Sequence, residues 1–405
     1  MNVTTNQVTA IVAGTFDTKS EELNYIADRL NALGVSVNTV DLSTTVYDSA
    51  ADIKPIEVAS CHPEGPESVN TGDRGTAVSA MSIAFEKWVK LNVASISGII
   101  SAGGSGGTAL VSPAMRSLPI GKPKVLVSTV ASGDVAPYVG PSDMTMMYSV
   151  TDVQGINPIS SAVLGNAAAA LAGMVLHTPE TDKNAKHKPG LGLTMFGVTT
   201  PAVQAIVNVL EDKFEPYVFH ATGVGGRSME KLVDEGFIAA TVDVTTTEIC
   251  DMLMGGVFPA TEDRFGAIIR TKVPYVGSVG ALDMVNFGAP SSVPEKFSGR
   301  LFYEHNPQVT LMRTTPEECI EIGQWITGRL NMMEGQVRFI IPKLGVSAID
   351  KEGMPFYDPE ADKVLFDTIR SEFNETENRQ LIEIDHHIND PEFSNLVVKS
   401  LNEIY

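Results

Sequence analysis

An apolar run that ends at a glycine-containing loop and leads into an amphipathic helix recurs along this sequence. The first example joins the run from Val8 to Gly14 to a helical pattern that places Leu23, Ile26 and Leu30 on one face. Strands alternating with helices in this way predict βαβ units around a parallel sheet. Three further strands of the first half are predicted to begin at Val35, Ser95 and Lys124.

The same pattern restarts after a charged, polar segment from His177 to Gly190, which has the composition of a linker. Strands are predicted from Leu191 and Tyr217, and another at Val337–Pro342. A chain of 405 residues is long enough for two domains. We therefore expect an α/β protein of two Rossmann-like lobes, residues 1–178 and 190–405, each a mostly parallel sheet flanked by helices.

The charge balance disfavours several classes of partner. Asp and Glu number 49 against 29 Lys and Arg, which gives a formal net charge of −20. Such a surface repels nucleic acid and anionic membranes. The most apolar stretch, Leu164–Leu176, is interrupted by Asn166 and looks too short to span a bilayer. Because the N-terminus also lacks the pattern of a signal peptide, and the three cysteines lie far apart, we expect a cytoplasmic protein.

The loop after the first strand is a candidate phosphate site. In parallel sheets, ligands bind beyond the carboxyl ends of the strands, and a helix start there offers N–H groups to an anion. Gly14 opens the loop, Thr15 and Thr18 add hydroxyls, and Lys19 adds a cation. The carboxylate of Asp17 would repel a phosphate, which implies a bridging Mg²⁺ or another role. Alternatively, Asp17 or Thr18 caps the helix, with Thr18 and Glu21 as a capping box.

A second glycine loop, Gly103–Gly107, follows the third predicted strand. Glycines allow the backbone to approach a ligand and to form an anion-binding nest. The loop is neither a Walker loop nor a dinucleotide fingerprint, and the alternative is a flexible turn. The predicted ligand-contacting residues here are Gly103, Gly104, Ser105, Gly106 and Gly107, with Ser132 and Asp134 on the same edge of the sheet.

The second half carries its own polar residues near predicted strand ends. They are His220, Arg227, Asp243, Glu248, His305 and Arg313. Together they could form a binding site for an anionic or carbonyl substrate. The two histidines would contribute to it only if they converge. Asp243 and Glu248 also suit the start of a helix, and a lone histidine is more often a hydrogen-bonded core residue. Asp385, His386 and His387 resemble a phosphoesterase metal motif, but adjacent residues of a strand face opposite ways, so no metal site is predicted.

Longer segments carry a family resemblance. IVAGTFDTKSEEL, ISAGGSGGTAL, FHATGVGGRSMEKLVDEG, GALDMVNFGAP, EHNPQVTLMRTTPEE, LGVSAIDKEGMPFYDPEAD and HINDPEF resemble a family of uncharacterised bacterial proteins. That family is homologous to the N-terminal ATP-binding domain of the tomato mosaic virus resistance protein. The resemblance covers residues 8 to 397. It implies two Rossmann-like lobes, dimerisation, and ATP binding in the first lobe through Gly14–Lys19 and Gly103–Gly107.

Three functions fit these features. One is an ATP-binding enzyme that uses ATP with Mg²⁺ in the first lobe and a substrate site in the second. Another is a protein-interaction module regulated by a nucleotide, since no recognised catalytic signature is present. The third is an enzyme that binds a sugar phosphate or another metabolite at the same loops without ATP.

Overall fold

The chain divides into two compact units, Met1–Lys183 and Asn184–Tyr405. A computed structural model of the protein describes residues 9–178 and 187–405. Most of the predicted linker, and the predicted strand start at Val8, lie outside the described residues. Both units contain a parallel sheet covered by helices, which confirms the predicted fold class.

The first unit has a five-stranded parallel sheet in the order β2-β1-β3-β4-β5. Its strands are β1 (Thr9–Gly14), β2 (Ser36–Asp41), β3 (Gly98–Gly103), β4 (Lys124–Ser128) and β5 (Thr145–Tyr148). Its helices are α1 (Phe16–Ala32), α2 (Pro55–Ala59), α3 (Arg74–Asn92), α4 (Ser105–Ser117), α5 (Ala136–Val139) and α6 (Pro158–Leu176). Apolar side chains of α1 and α6 cover one face of the sheet, and those of α3 and α4 cover the other.

This strand order places a topological switch between β1 and β3. The chain moves from β1 outward to β2, then returns to β3 on the other side of β1. The connections that follow β1 and β3 run in opposite directions, so a crevice forms beyond the carboxyl ends of these two strands. Ligands bind in such crevices in open α/β sheets. Both glycine loops predicted from the sequence begin at this crevice, at Gly14 and at Gly103.

Helix α6 contains the most apolar stretch of the chain, Leu164–Leu176. It begins at Pro158 because Asn157 caps its first turn, so it has 19 residues and is long and apolar enough to cross a membrane. No other helix among the described residues meets that test. The expectation concerned Leu164–Leu176 alone, whereas the whole helix passes this test by length and composition only. In the structure, its Leu164, Ala168 and Leu171 are buried in the core of the first unit.

The second unit combines two sheets. Six parallel strands lie in the order β14-β13-β9-β8-β6-β7, and three antiparallel strands lie in the order β10-β12-β11. The strands are β6 (Gly190–Met195), β7 (Glu215–His220), β8 (Ile238–Thr245), β9 (Tyr275–Gly280), β10 (Met284–Phe287), β11 (Phe302–Asn306), β12 (Val309–Arg313), β13 (Val337–Pro342) and β14 (Arg379–Ile384). The helices are α7 (Thr200–Leu210), α8 (Val224–Asp234), α9 (Glu248–Met254), α10 (Gly266–Thr271), α11 (Pro316–Leu330), α12 (Pro359–Glu372) and α13 (Pro391–Ile404).

Several local features differ from expectation. The small antiparallel sheet and the edge strand β5 were not predicted. Met146 and Met147 belong to β5 and are half-buried, whereas Met144, just before the strand, is buried. The capping box of Thr18 and Glu21 was wrong, because α1 starts at Phe16 and Thr18 lies inside its first turn.

Candidate functional site

A cavity of about 250 Å³ occupies the crevice beyond β1 and β3. It lies within the first unit, and both glycine loops line it. The lining residues are Gly14, Thr15, Thr18, Lys19, Arg74, Ser101, Ala102, Gly103, Gly104, Ser105, Gly106, Gly107, Leu110, Val111 and Asp152. Most of the residues predicted to contact a ligand are therefore brought together here.

The start of α4 presents free backbone N–H groups to this cavity. Its N-cap, Gly104, offers no side-chain cap, and the first amide bonded in the helical manner is that of Thr108, which donates to the Gly104 carbonyl at 2.9 Å. Within the described residues, no hydrogen bond engages the amides of Ser105, Gly106 or Gly107. Such a helix start is suited to an anion, because the amides converge and the helix dipole is positive there.

The glycines of this loop have almost no role in the packing of the protein itself. A Cβ on Gly106 or Gly107 would meet no atom within 4 Å, and one on Gly104 only the hydroxyl of Thr129 at 3.8 Å. None of the three has a positive φ. Gly103 differs, since its Cβ would lie 3.3 Å from Gly107 Cα. Glycine at 104, 106 and 107 therefore leaves open space in front of the free amides.

The first helix start is arranged differently, and this corrects one prediction. The amide of Phe16 donates to Asp41, and the amide of Asp17 to the hydroxyl of Ser43. The amides of Thr18 and Lys19 both donate to the Thr15 carbonyl. All four N–H groups of this turn are satisfied within the protein, so α1 does not offer them to a phosphate. The loop contributes to the cavity through side chains instead.

Lys19 and Asp17 occupy different places in that loop. The helix is kinked at Lys19, whose φ is −132°, and its ammonium donates to the carbonyl of Val153 beside the cavity. Asp17 does not line the cavity. Its carboxylate accepts from the Thr45 hydroxyl at 2.6 Å and faces a neighbouring cavity of about 400 Å³. The repulsion expected between Asp17 and a phosphate is thus avoided by separation.

Arg74 is the cation that the sequence analysis missed. It is the first residue of α3, it is exposed, and it lines both the 250 Å³ cavity and its 400 Å³ neighbour. Within the described residues, no hydrogen bond or ion pair engages its guanidinium. The only signal in the sequence was the turn-like Gly72-Asp73 before it, which predicts a helix start but not its position beside a glycine loop.

Two further cavities continue from the first. The 400 Å³ cavity shares Thr15, Thr18 and Arg74 with it, and its lining combines hydroxyl and amide side chains with two carboxylates, those of Asp17 and Asp73, and apolar surface. A third, of about 440 Å³, adjoins the second along Thr44, Thr45, Val69 and Asn70. Ser132 and Asp134 line none of the three, contrary to expectation. Asp134 instead accepts from the Ala136 amide at the start of α5.

Glycines of the second unit are needed by the fold. A Cβ on Gly223 would lie 2.2 Å from the Pro259 carbonyl oxygen, on Gly225 1.8 Å from that of His220, and on Gly226 2.1 Å from Glu248. Arg227 is half-buried and its Nε donates to the Gly223 carbonyl at 3.4 Å. The packing of the protein itself therefore requires these glycines, and their presence alone does not indicate an anion site.

Asp243 and Glu248 meet in a buried ion network around Arg264. The guanidinium contacts Asp243 at 2.8 Å, Glu248 at 2.5 Å and Glu230 at 2.9 Å. Burial raises the pKa of Glu230 and Glu248. Burial would lower the pKa of Arg264, but the carboxylates of Asp243, Glu248 and Glu230 raise it well above its ordinary value. This buried network joins α8, β8 and α9 through their shared contacts with Arg264.

The remaining predicted residues of the second unit do not share one cleft. His220 is exposed on the edge strand β7 against Phe196, and His305 is exposed on β11 of the other sheet. Arg313 is buried, donates to Asp362 at 2.6 Å and lies 3.7 Å from Asp350. The six side chains predicted to form a substrate site are therefore distributed over the end of β7 and the helix after it, a buried ion network and the antiparallel sheet.

The Asp-His-His segment is divided among different partners. Asp385 pairs with Lys343 at 2.6 Å, and His386 lies 3.5 Å from Asp390. His387 is buried, with Nε2 2.8 Å from the Ser347 carbonyl. Among the described residues, no group of three or more His, Cys, Asp or Glu is arranged to hold a metal ion.

Comparison with known proteins assigns the whole chain to one family. Residues 8–180 match the N-terminal domain, and residues 188–405 the C-terminal domain, of the "Uncharacterised protein family (UPF0261)". The UPF0261 protein of Mesorhizobium japonicum is 54% identical over 393 residues, which are 96% of this chain and 98% of that protein.

Two tomato proteins are also similar. The ToMV resistance protein Tm-1(GCR237) of Solanum lycopersicum is 44% identical over 414 residues, and the ToMV susceptible protein tm-1(GCR26) is 43% identical. The match covers 96% of this chain but only 55% of each tomato protein. Among solved structures, UDP-N-acetylglucosamine 2-epimerase from Rickettsia bellii aligns over 98% of this chain and 96% of its own, at 10% identity and a TM-score of 0.23, too low to support an inference. The two domain matches and the bacterial relatives confirm the predicted resemblance, and the chain belongs to the UPF0261 family.

Proposed function

We propose that the first unit binds ATP, or a related phosphorylated ligand, with its phosphates at the start of α4. The observation that carries this proposal is the open space in front of the unbonded amides of Ser105, Gly106 and Gly107. Small residues that the fold does not require, placed before a free helix start, are what the approach of a phosphate needs. The position at the β1/β3 switch point supports the same ligand class.

Two cations complete the proposed site. Lys19 and Arg74 both line the same cavity as these amides. A guanidinium can hold two phosphate oxygens at once, and the one on Arg74 has no described partner to give up. The rest of the nucleotide would extend into the adjoining cavity lined by hydroxyl and amide side chains.

Mg²⁺ would enter with the nucleotide. The ion prefers oxygen ligands, keeps several waters and is commonly held by one or two carboxylates together with phosphate oxygens. Asp17, which faces the adjoining cavity, suits that role. A bound Mg²⁺ would also screen its carboxylate from the phosphates.

One observation favours a second class of ligand, a sugar phosphate. The 400 Å³ cavity is lined by hydroxyl and amide groups such as Thr44, Asn70 and Thr71, which can hydrogen-bond a sugar. Nucleic acid and membranes are not among the proposed partners, because the net charge is −20. Dimerisation and a cytoplasmic location stay predictions.

Calorimetric titration with ATP, with and without Mg²⁺, tests the proposal. A Gly106→Val variant places a branched side chain in the open space, and we expect it to weaken ATP binding about tenfold or more. Gly173→Val is the matched control, because Gly173 is also helical, lies in the same unit and has no atom within 4 Å of a built Cβ. Equal affinity in all three proteins, or no binding, would reject the site. Binding of ribose 5-phosphate in place of ATP would favour the second class.

A further inference from the structure

One cavity of the second unit adjoins residues that the proposed function does not use. Its volume is about 720 Å³, and it lies between α12 and the segment that follows β13. We call it the α12 groove. It is lined by Lys343, Leu344, Lys351, Glu352, Tyr357, Pro359, Asp362, Lys363, Phe366, Asp367 and Arg370. Lys343 and Leu344 follow directly after β13, so the groove lies at the carboxyl end of a strand of the parallel sheet.

Asp362 lines the groove although it is only 6% exposed. Its Oδ1 accepts from Arg313 Nη2 at 2.6 Å. Among the described residues, no donor bonds to its Oδ2. This oxygen is not fully enclosed by protein atoms. One carboxyl oxygen is thus fixed, and the other is left to bond a molecule in the groove.

A network behind Asp362 controls its charge. Three carboxyl groups, those of Asp283, Asp350 and Asp362, surround the single cation of Arg313. Oδ1 of Asp283 and Oδ1 of Asp350 have no described hydrogen-bond partner. Burial, and then the nearby charge of Asp350, raises the pKa of Asp283 to about 7 and that of Asp362 to about 8. At neutral pH, Asp362 therefore carries a proton for much of the time and can donate a hydrogen bond.

Four segments singled out in the sequence meet at this network. Asp283 comes from GALDMVNFGAP, Arg313 from EHNPQVTLMRTTPEE, and both Asp350 and Asp362 from LGVSAIDKEGMPFYDPEAD. Ser347 donates to Asp283 at 2.8 Å, and its carbonyl contacts His387, which precedes Ile-Asn-Asp in HINDPEF. Their separation along the chain hid this convergence.

The charges around the groove suit a ligand with one negative charge. Lys343, Lys363 and Arg370 are each already paired with carboxylates. Lys351 is exposed, and its ammonium has no described partner. The neighbouring Glu352 also lines the groove, and its carboxylate has no described partner either. A singly charged anion matches one unpaired cation better than a phosphate dianion does. Phe366 and Tyr357 supply apolar surface for the body of such a molecule.

We propose that the α12 groove is a second binding site, for a small organic acid whose carboxylate pairs with Lys351 and accepts a hydrogen bond from Asp362. This site is separate from the proposed phosphate site of the first unit and does not depend on it. The charged and titratable groups around Asp362 on neighbouring elements are Arg313 on β12, Cys319 on α11, Asp283 before β10 and Asp350 in the preceding loop. The groove adds Lys343, Lys351, Glu352, Tyr357, Lys363, Asp367 and Arg370.

Benzoate is the probe for the experiment, with benzyl alcohol as its neutral counterpart. Saturation-transfer NMR and titration measure binding to the full chain. We expect saturable benzoate binding, weaker binding of benzyl alcohol, and a loss of about tenfold or more in Lys351→Glu. Lys399→Glu, an equal charge change at an exposed lysine on α13, should leave benzoate binding unchanged.

The pH dependence separates a ligand contact of Asp362 from a structural role. Benzoate affinity of the wild type should fall about tenfold from pH 7 to pH 9, as Asp362 loses its proton. In Asp362→Asn the amide still donates, so the affinity should stay nearly constant over that range. No saturable binding up to about 10 mM, equal binding of benzyl alcohol, full affinity in Lys351→Glu, or an unaltered pH profile in a folded Asp362→Asn would each overturn the proposal.

Discussion

Two alanine substitutions at helix starts distinguish a glycine that the fold requires from one that leaves room for a ligand. Gly106 and Gly226 both lie in the first turn of a helix and have no positive φ. A Cβ on Gly106 meets no atom within 4 Å, whereas one on Gly226 would lie 2.1 Å from Glu248 Oε1. The same chemical change should therefore affect stability in opposite directions.

The size of each effect follows from these contacts. Alanine in a helix is favoured over glycine by about 0.5–1 kcal/mol, so Gly106→Ala should leave the first unit unchanged or stabilise it by up to that amount. In Gly226→Ala, Glu248 must move, although its oxygens hold Arg264 at 2.5 Å and the Gly223 amide at 2.7 Å. Overpacking by one methyl group costs about 1–3 kcal/mol, and a weakened hydrogen bond to a charged group adds about 1.5–3 kcal/mol. We expect the second unit to lose about 3 kcal/mol.

Urea unfolding can measure the two units separately. The sequence contains two tryptophans, Trp88 in the first unit and Trp325 in the second. A Trp→Phe background leaves one reporter, so each unit's unfolding is followed alone and tested for two-state behaviour. If Gly106→Ala destabilised the first unit by more than about 1 kcal/mol, the glycine would have an internal role and the argument for the phosphate site would fail. If Gly226→Ala had little effect on the stability of the second unit, the proposed contrast between the two glycines would also be refuted.

Three further predictions concern single groups or pH. Arg74→Glu should weaken ATP binding, measured by titration, about tenfold or more, because it replaces an unpaired cation of the cavity with a charge that repels phosphate. The control Arg29→Glu, at the far end of α1, should have little effect on ATP binding. Arg264→Met should destabilise the second unit by about 3–5 kcal/mol in urea unfolding, because three buried carboxylates lose their common partner; a change below about 1 kcal/mol would contradict this. Burial raises the pKa of Asp251 and Asp283 to about 7, so the folded state binds more protons than the unfolded state between pH 4 and 7. The contribution of these two protonated carboxyl groups to the free energy of unfolding is complete below pH 4 and is lost as pH rises towards 7. The loss is up to about 1.4 kcal/mol per pH unit for each proton. Unfolding measured from pH 5 to 8 should show this decline.

Local patterns predicted the framework of the fold. The apolar run of β1, its glycine loop and the spacing of Leu23, Ile26 and Leu30 in α1 are short-range signals, and the structure confirms each of them. The glycine loop at Gly103–Gly107 was identified for the same reason, since its composition exceeds what a turn needs. Strand β5 and the antiparallel sheet gave no such signal, because short or edge strands depend on their neighbours for stability.

Long-range partners account for what the sequence did not reveal. The amides of α1 are satisfied by Asp41 and Ser43, about 25 residues further on, so the free helix start could not be assigned to α4 in advance. Asp243 and Glu248 resembled site residues, but Arg264 binds both in the core. A charged residue near a strand end has the same local sequence whether it faces a cleft or a buried partner.

The most direct test of the phosphate site observes the α4 amides themselves. Protein labelled with ¹⁵N-glycine, with Gly106 and Gly107 assigned through alanine variants, is titrated with ATP and Mg²⁺ and followed by NMR. We expect these two amide signals to shift with a saturable dependence on ATP while those of Gly225 and Gly226 stay in place. Unmoved signals of Gly106 and Gly107 in protein that binds ATP would place the nucleotide elsewhere and contradict the proposed site.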